Sequence, residues 1–362
     1  MSLVEISKAR NLQIATDAAL WTAAGEYLGD YTEHLLIDGC SIEYNYCSRV
    51  KTTCRLNWDV ALPFASHRVS LGMTVTDLSS GASARQPLGT YLMENPTVNL
   101  DFDQVWSADG YDLLTILDTP IPYSWSVADG TSIRTAVEAV LTAAETDLDF
   151  VGWYVDSTVR GDRVWPLGGQ TTWIDVLDEL LVSAGWRPIW LTREGYLTSD
   201  EYQNTKTLQP DFFYDATAAD TTIGYGATVE TDVWGIPNQW IFIADIADPA
   251  VAAPSEGNGV VRLRNESDGP SSIANRGRVI NRIVQVDATD QAALQLEAER
   301  QQETDIQSVQ KIRFKAVPSP QLWHRNIIQV HFPPHVIRRN AVVQRWSLPL
   351  DGNDMSIEAN LI

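Results

Sequence analysis

The sequence predicts a β-rich α+β protein of several domains. Three observations carry that prediction: a long alternation of apolar and polar residues near the start, two amphipathic helical stripes in the middle, and a series of short apolar strands at the end. The chain has 362 residues, 44% hydrophobic and 20% charged. At roughly 100–200 residues per domain, that length allows two to four units that each bury a core. The mixture excludes disorder and collagen-like structure. No apolar run approaches the roughly 18–20 residues needed to span a bilayer, and the opening lacks the basic start, apolar block and cleavage site of a secretory signal. Membrane insertion and signal-directed secretion are therefore not expected.

Residues 1–28 read as a helical extension with Leu3, Ala9 and Leu12 among its apolar positions. From Ser41 to Leu62 the even positions include Ile42, Tyr44, Tyr46, Cys54, Leu56 and Trp58, and the odd ones Glu43, Asn45, Arg49, Lys51, Arg55 and Asp59. This is period-two β-structure with one apolar face. About 22 residues is long for a single strand, so a hairpin bend is predicted near Ser48. A first helix is predicted from Ile133 to Ala144 after the candidate cap Thr131, on the stripe Ile133, Val137, Val140, Leu141 and Ala144. A second opens at Thr172 and Asp175, which have capping-box spacing, carries Val176, Leu177, Leu180 and Leu181, and stops at Gly185. A short hairpin, Arg187–Thr192 and Gly195–Ser199, follows. Gln239–Ile246 and Val260–Arg264 read as strands around a Pro/Gly/Ala loop, and Gln291–Gln307 as a polar helix. Ile312–Val317, Ile327–Phe332, Ala341–Leu350 and Met355–Leu361 are the closing strands.

Acidic residues outnumber basic ones by 47 to 26, a net charge of −21, which repels nucleic acid and anionic lipid at long range. The charge is uneven. Asp101–Phe150 holds ten acidic residues and one basic, whereas Lys311–Leu350 holds seven basic and none acidic. Opposite-sign segments of one chain suit contacts between domains or subunits, and Arg325, Arg338, Arg339 and Arg345 against Asp101, Asp103 and Asp109 are the candidate inter-subunit contacts.

Three cysteines, Cys40, Cys47 and Cys54, cannot all pair, and their spacing is not that of a zinc site. They read as reduced thiols, with Cys47 on the opposite strand face from the other two. Known catalytic signatures are missing, including nucleophile elbows, zinc-binding helices and phosphate loops. Ser48-Arg-Val-Lys51 has a bare S-x-x-K spacing, but strand alternation separates the two side chains. His331-Phe-Pro-Pro-His335 has the spacing of a metal-binding helix, and its two prolines forbid that helix. No catalytic residue, metal or cofactor is predicted. Thirteen tryptophans and twelve tyrosines are an excess for this length, suited to core packing, to protein interfaces or to a sugar platform.

Taken in order, several segments resemble phage tail hub proteins, of the baseplate-hub or tail-associated minor tail type found in long-tailed phages and contractile injection systems. They are Gly29-Asp30-Tyr31-Thr32 leading into Leu35–Asp38, the alternating segment with Arg49, Lys51 and Thr53, Pro87-Leu88-Gly89-Thr90-Tyr91, and Gly110-Tyr111-Asp112-Leu113-Leu114. The helix–Gly185-Trp186-Arg187-Pro188–hairpin unit, Pro237-Asn238-Gln239-Trp240, and Trp346-Ser347-Leu348-Pro349-Leu350 complete the series. The resemblance covers the chain from about Gly29 onward and rests on the order of its motifs.

It implies a multidomain tail hub fold with two small β-barrel-like domains and an interspersed α/β domain. The corresponding divisions are an extension 1–28, a first barrel 29–118, an α/β domain 119–205, a second barrel with a helix 206–310, and strands 311–362 returning to the first barrel. The implied role is a non-enzymatic homotrimer at the virion tail tip, ringed around a channel through which viral DNA only passes. Its implied partners are a distal tail or tail tube protein, the tape measure protein, and tip or receptor-binding proteins. A carbohydrate- or receptor-binding tail module and a tail-associated cell-wall hydrolase are the alternatives.

Overall fold

The computed structural model describes residues 12–62, 67–100, 104–152, 157–159, 161–216, 223–224, 226–244, 255–286, 288, 291–332 and 337–362. The first region is strands with one turn of 3-10 helix at Thr32–His34: β1 (Leu12–Thr22), β2 (Tyr27–Asp30), β3 (Leu35–Asn45), β4 (Thr52–Trp58), β5 (His67–Asp77), β6 (Ser83–Asn99) and β7 (Val105–Asp112). The second contains β8 (Trp125–Val127), α1 (Ile133–Ala143), β9 (Arg163–Trp165), α2 (Trp173–Ser183), β10 (Trp190–Leu191) and β11 (Leu197–Thr198). Then come β12 (Phe212–Asp215), β13 (Thr228–Thr231), β14 (Gln239–Ile243), β15 (Ser255–Glu256), β16 (Gly259–Arg264), α3 (Ile273–Arg276), β17 (Asn281–Gln285) and α4 (Gln291–Gln307). The closing strands are β18 (Gln310–Ala316), β19 (Ile327–Phe332), β20 (Ile337–Pro349) and β21 (Met355–Leu361).

Thirteen strands form one sheet, in the order β13-β18-β21-β20-β3-β4-β7-β6-β5-β1-β2, with β19 and β12 branching from β20. No sheet closes into a barrel among the described residues. The C-terminal strands enter this sheet through β20, whose Trp346 and Leu348 lie opposite Tyr44 and Ile42 of β3. The predicted alternation holds: Ile42, Tyr44, Cys54, Leu56 and Trp58 are buried, and the hairpin turns through residues 46–51. Gly110 on β7 is fixed by close approach, because a Cβ there would meet Cys54 Sγ at 2.5 Å. Cys40 and Cys54 are buried and Cys47 exposed, all three as free thiols.

The helical reading of residues 1–28 is corrected by β1, which pairs with β5 from Leu12↔Asp77 to Thr22↔His67. Thr16, Ala18 and Leu20 face the core. Their alternation is genuine period two, but Ala and Thr are small enough to disguise it as a weak helical pattern. Leu3 and Ala9 lie outside the described residues.

Three hydrophobic cores result. The first is the large sheet's inner face, with Leu56, Met73, Val343 and Ile357 among its members. The second joins α1 to α2 through Val137, Val140, Val176 and Leu180. The capping box of α2 forms as the spacing predicts, Thr172 accepting from Asp175 N and Asp175 from Thr172 N, and Gly185 closes the helix with a φ of 79°. For α1 the N-cap is Ser132 and not Thr131, whose hydroxyl instead donates to Ala128 O. The third core sets the sheet β15-β16-β14-β17 against α4, with Trp240, Phe242, Leu294 and Ala298 inside.

Candidate assembly interface

Among the described residues no group of His, Cys, Asp and Glu is arranged to hold a metal, and no helix is long and apolar enough to cross a membrane. His331 pairs with Asp215 across β19 and β12, 3.1 Å apart, and His335 lies outside the described residues. Lys51 does not meet Ser48 as a catalytic pair: its ammonium donates to the carbonyls of Ser48 and Tyr46 at 2.6 and 3.1 Å, fastening the β3–β4 turn. The polar chemistry of this chain gathers where its cores meet.

The first junction joins the large sheet to the α/β unit. Asp112, the last residue of β7, is buried and accepts from Thr52 N at 2.7 Å, Lys51 N at 2.9 Å and Leu114 N at 3.0 Å. One carboxylate thus ties the hairpin β3–β4 to the turn that leads out of the sheet. Burial pushes it up from 3.8 to about 6, against those hydrogen bonds. Beside it, the His324 ring lies flat on Trp190, centroids 4.6 Å apart and 8° from parallel. Tyr44 Oη accepts from Arg325 N and shares a hydrogen bond with His324 Nδ1 at 3.0 Å. Burial first, then Lys51, Arg325 and Arg187, hold His324 well below 6.5 and therefore neutral.

Arg193 completes this contact. Its guanidinium donates to the carbonyls of Pro87 at 3.1 Å, Pro320 at 2.5 Å and Leu322 at 2.9 Å, and lies 4.5 Å from the centre of the Trp323 ring. Trp323 answers with an N–H donated to Leu191 O at 3.0 Å.

The second junction is built on Glu303 of α4. Its carboxylate accepts from Tyr202 Oη, Thr205 Oγ1, Thr205 N at 2.8 Å and Gln307 Nε2 at 2.8 Å, linking the third core to the segment that leaves the α/β unit. Sequence reading missed both junctions. Arg193, Tyr202, Trp323 and His324 sit outside regular elements, where no periodicity marks them. Asp112, Tyr44, Trp190 and Glu303 lie on strands or a helix whose pattern does not reveal a partner in another core, and only the run Leu322-Trp323-His324-Arg325, aromatic and basic just past two prolines, hints at burial.

The predicted charge contacts are placed unevenly. Arg338, Arg339 and Arg345 are exposed, with Arg339 donating to Gln310 Oε1 at 2.5 Å. Arg325 is turned inward, 5.1 Å from the centre of the Tyr46 ring and 3.2 Å from its hydroxyl, at a φ of 51°. Asp109 is half-buried on β7, across from Arg55 on β4 and Glu94 on β6. Asp101 and Asp103 lie outside the described residues.

Among the described residues, β2 and β13 end the large sheet with one strand partner each. On β2, Tyr27 and Leu28 are 57% and 47% exposed, and beyond β13 stands Trp234, 84% exposed. Both edge strands are only four residues long, which limits stray pairing, yet both leave apolar side chains in water. Most other described tryptophans are buried or half-buried, so the aromatic excess is largely spent on cores and the first junction.

No protein-family profile matches the chain, and no curated protein matches it by sequence. Solved structures do. A tail protein from Neisseria meningitidis MC58 superposes with a TM-score of 0.66 at 13% identity, over 96% of both chains. The fold is that of a phage tail protein. The 43 kDa tail protein of prophage MuSo2 from Shewanella oneidensis shares it, with a TM-score of 0.63 at 10% identity over 96% of this chain and 98% of that one. It extends to the Francisella PdpA–VgrG complex, where the TM-score is 0.56 at 9% identity over 97% of this chain and 58% of the other. The order of weak motifs read from the sequence thus pointed to the right fold.

Proposed function

We propose that the chain is a structural virion protein, a trimeric tail hub that joins the tail tube to the tail tip or baseplate and forms part of the DNA passage channel. The observation that carries this reading is the match over nearly the whole length of two tail proteins, in a molecule whose large sheet, among the described residues, leaves the strands β2, β13 and β12 with one partner each. Pairing such edges between copies removes an aggregation hazard that a free monomer keeps, and a head-to-tail contact closes into a ring. The three cores support a division into hub units in which β1, β12, β13 and β18–β21 all join the first, so that β12 and β13 fall outside the second unit expected at 206–310. A net charge of −21 suits a wall past which DNA slides without sticking.

The hub has no catalytic site of its own. Its neighbours are a tube or distal tail protein on one side, tip or receptor-binding proteins on the other, and the tape measure protein inside. Light scattering coupled to size exclusion over a concentration series tests the reading. A species near three times the 40.2 kDa chain mass is expected, and a monomer at every concentration would count against it.

A further inference from the structure

We propose that a trough on the outer face of the large sheet receives, from a second copy of the chain, the acidic segment that follows α1. The inference rests on the trimer reading and names the contact that builds it.

Cross-strand register sets two polar rows side by side. Lys315, Ser356, Ser347, Glu43 and Thr53 run across β18, β21, β20, β3 and β4, and Arg313, Glu358 and Arg345 run beside them. Hydroxyl residues form a low floor between long charged walls, enclosing about 660 Å³. Four cationic side chains line it against two anionic ones, in a protein that is otherwise strongly acidic. Arg313 is already committed to Glu358 at 2.7 Å and Glu230 at 2.9 Å. Lys315 and Arg345 are exposed, and among the described residues no ion pair engages either. Arg313 and Lys315 of β18 and Arg345 of β20, some thirty positions on, therefore converge on one concave surface.

The matching surface is on the α/β unit. In the acidic segment Asp118 is held by Arg49, Glu138 by Arg134 and Asp147 by Arg68. Glu145 and Asp149 are exposed and carry no ion pair among the described residues. They cannot be the trough's occupants within their own chain. Asp147 anchors this segment to β5, and β7 and β6 separate β5 from β4 at the trough's edge. A trough at one part of the sheet and its complement at another is the arrangement of a head-to-tail contact, which three copies can close.

The test is charge reversal on each side and on both. Lys315→Glu with Arg345→Glu is expected to weaken self-association roughly tenfold or more, as is Glu145→Lys with Asp149→Lys, and the four changes together to recover most of the loss. The milder Lys315→Ala/Arg345→Ala pair, with circular dichroism as a folding control, guards against a misfolded variant. A wild-type trimer that survives Lys315→Glu/Arg345→Glu intact, or a fourfold variant that recovers nothing, overturns this contact and leaves the hub reading standing. A wild-type monomer overturns both.

Discussion

The two junctions solve one problem, holding separate cores in register, with opposite chemistry. The first relies on a neutral imidazole stacked on Trp190, a guanidinium spread over three backbone carbonyls, and a carboxylate that caps backbone N–H groups. The second relies on one carboxylate surrounded by two hydroxyls, a side-chain amide and a single backbone N–H. Backbone N–H and C=O groups cannot reorient to suit a replacement, whereas hydroxyls rotate to accept or donate. The first junction is therefore stiff and intolerant, and the second adaptable.

Arg193→Met is the strongest test of that contrast. It strands three carbonyls and removes the ring contact at once, and a loss of about 3–5 kcal/mol is expected. Urea unfolding followed by tryptophan fluorescence reads it, through the transition that separates the first two cores. A loss below about 1 kcal/mol would mean that Arg193 decorates the junction and does not hold it.

Asp112→Asn comes next, at about 2 kcal/mol, since an amide N–H then faces a backbone N–H. Its pH dependence is more telling. The unfolded chain takes up a proton near 6.5 that the fold denies His324, so stability from that group is complete above 6.5 and lost as the pH falls below it. Asp112 acts with the opposite sign. The fold keeps a proton up to about 6 that the unfolded chain releases near 3.8, so stability falls as the pH rises between those values. The two slopes oppose each other between about 4 and 6. Relative to wild type, Asp112→Asn is expected to lose stability more steeply on acidification in that window, and His324→Gln to lose less or to gain. Parallel profiles for all three proteins would show that these groups do not titrate as a coupled junction.

The smallest effect is expected at the second junction. Glu303→Gln keeps an acceptor for Thr205 N while Tyr202 and Thr205 turn their hydroxyls, so about 1 kcal/mol is lost. Burial raises the Glu303 carboxyl, so neutralising it also removes some of the cost of an ionised group as the pH rises. A Glu303→Gln loss equal to that of Arg193→Met would erase the distinction between the junctions.

Elements governed by periodicity were legible in the sequence. The Ser41–Leu62 alternation, the Thr172–Gly185 helix with its cap, and Gln291–Gln307 all appear where local pattern placed them. β1 was not, because Thr16 and Ala18 fill a core face without strong hydrophobicity. Charge was legible only as a sum: the Lys311–Leu350 excess is real, but a turn before β19 sends Arg325 inward onto Tyr46, and strand register spends Arg313 on Glu358 and leaves Lys315 and Arg345 available. Such divisions depend on which strands become neighbours, and no window along the chain contains that information. The junction residues show the same limit. Tyr44 and His324 are 280 positions apart in sequence and share a hydrogen bond only once both cores exist.

The pairing of β20 with β3 also sets an order in time. At a synthesis rate of roughly 5–20 residues per second, the nearly 300 residues between these strands take on the order of 15–60 s to emerge. Throughout that interval the β3 edge has no native neighbour on that side. A sheet closed by such distant partners folds slowly, so the nascent chain passes through a period in which the surface that will hold its C-terminal strands is open to any other strand. Completion that starts only once residues 337–361 are released, and then proceeds slowly, is the kinetic signature of this topology.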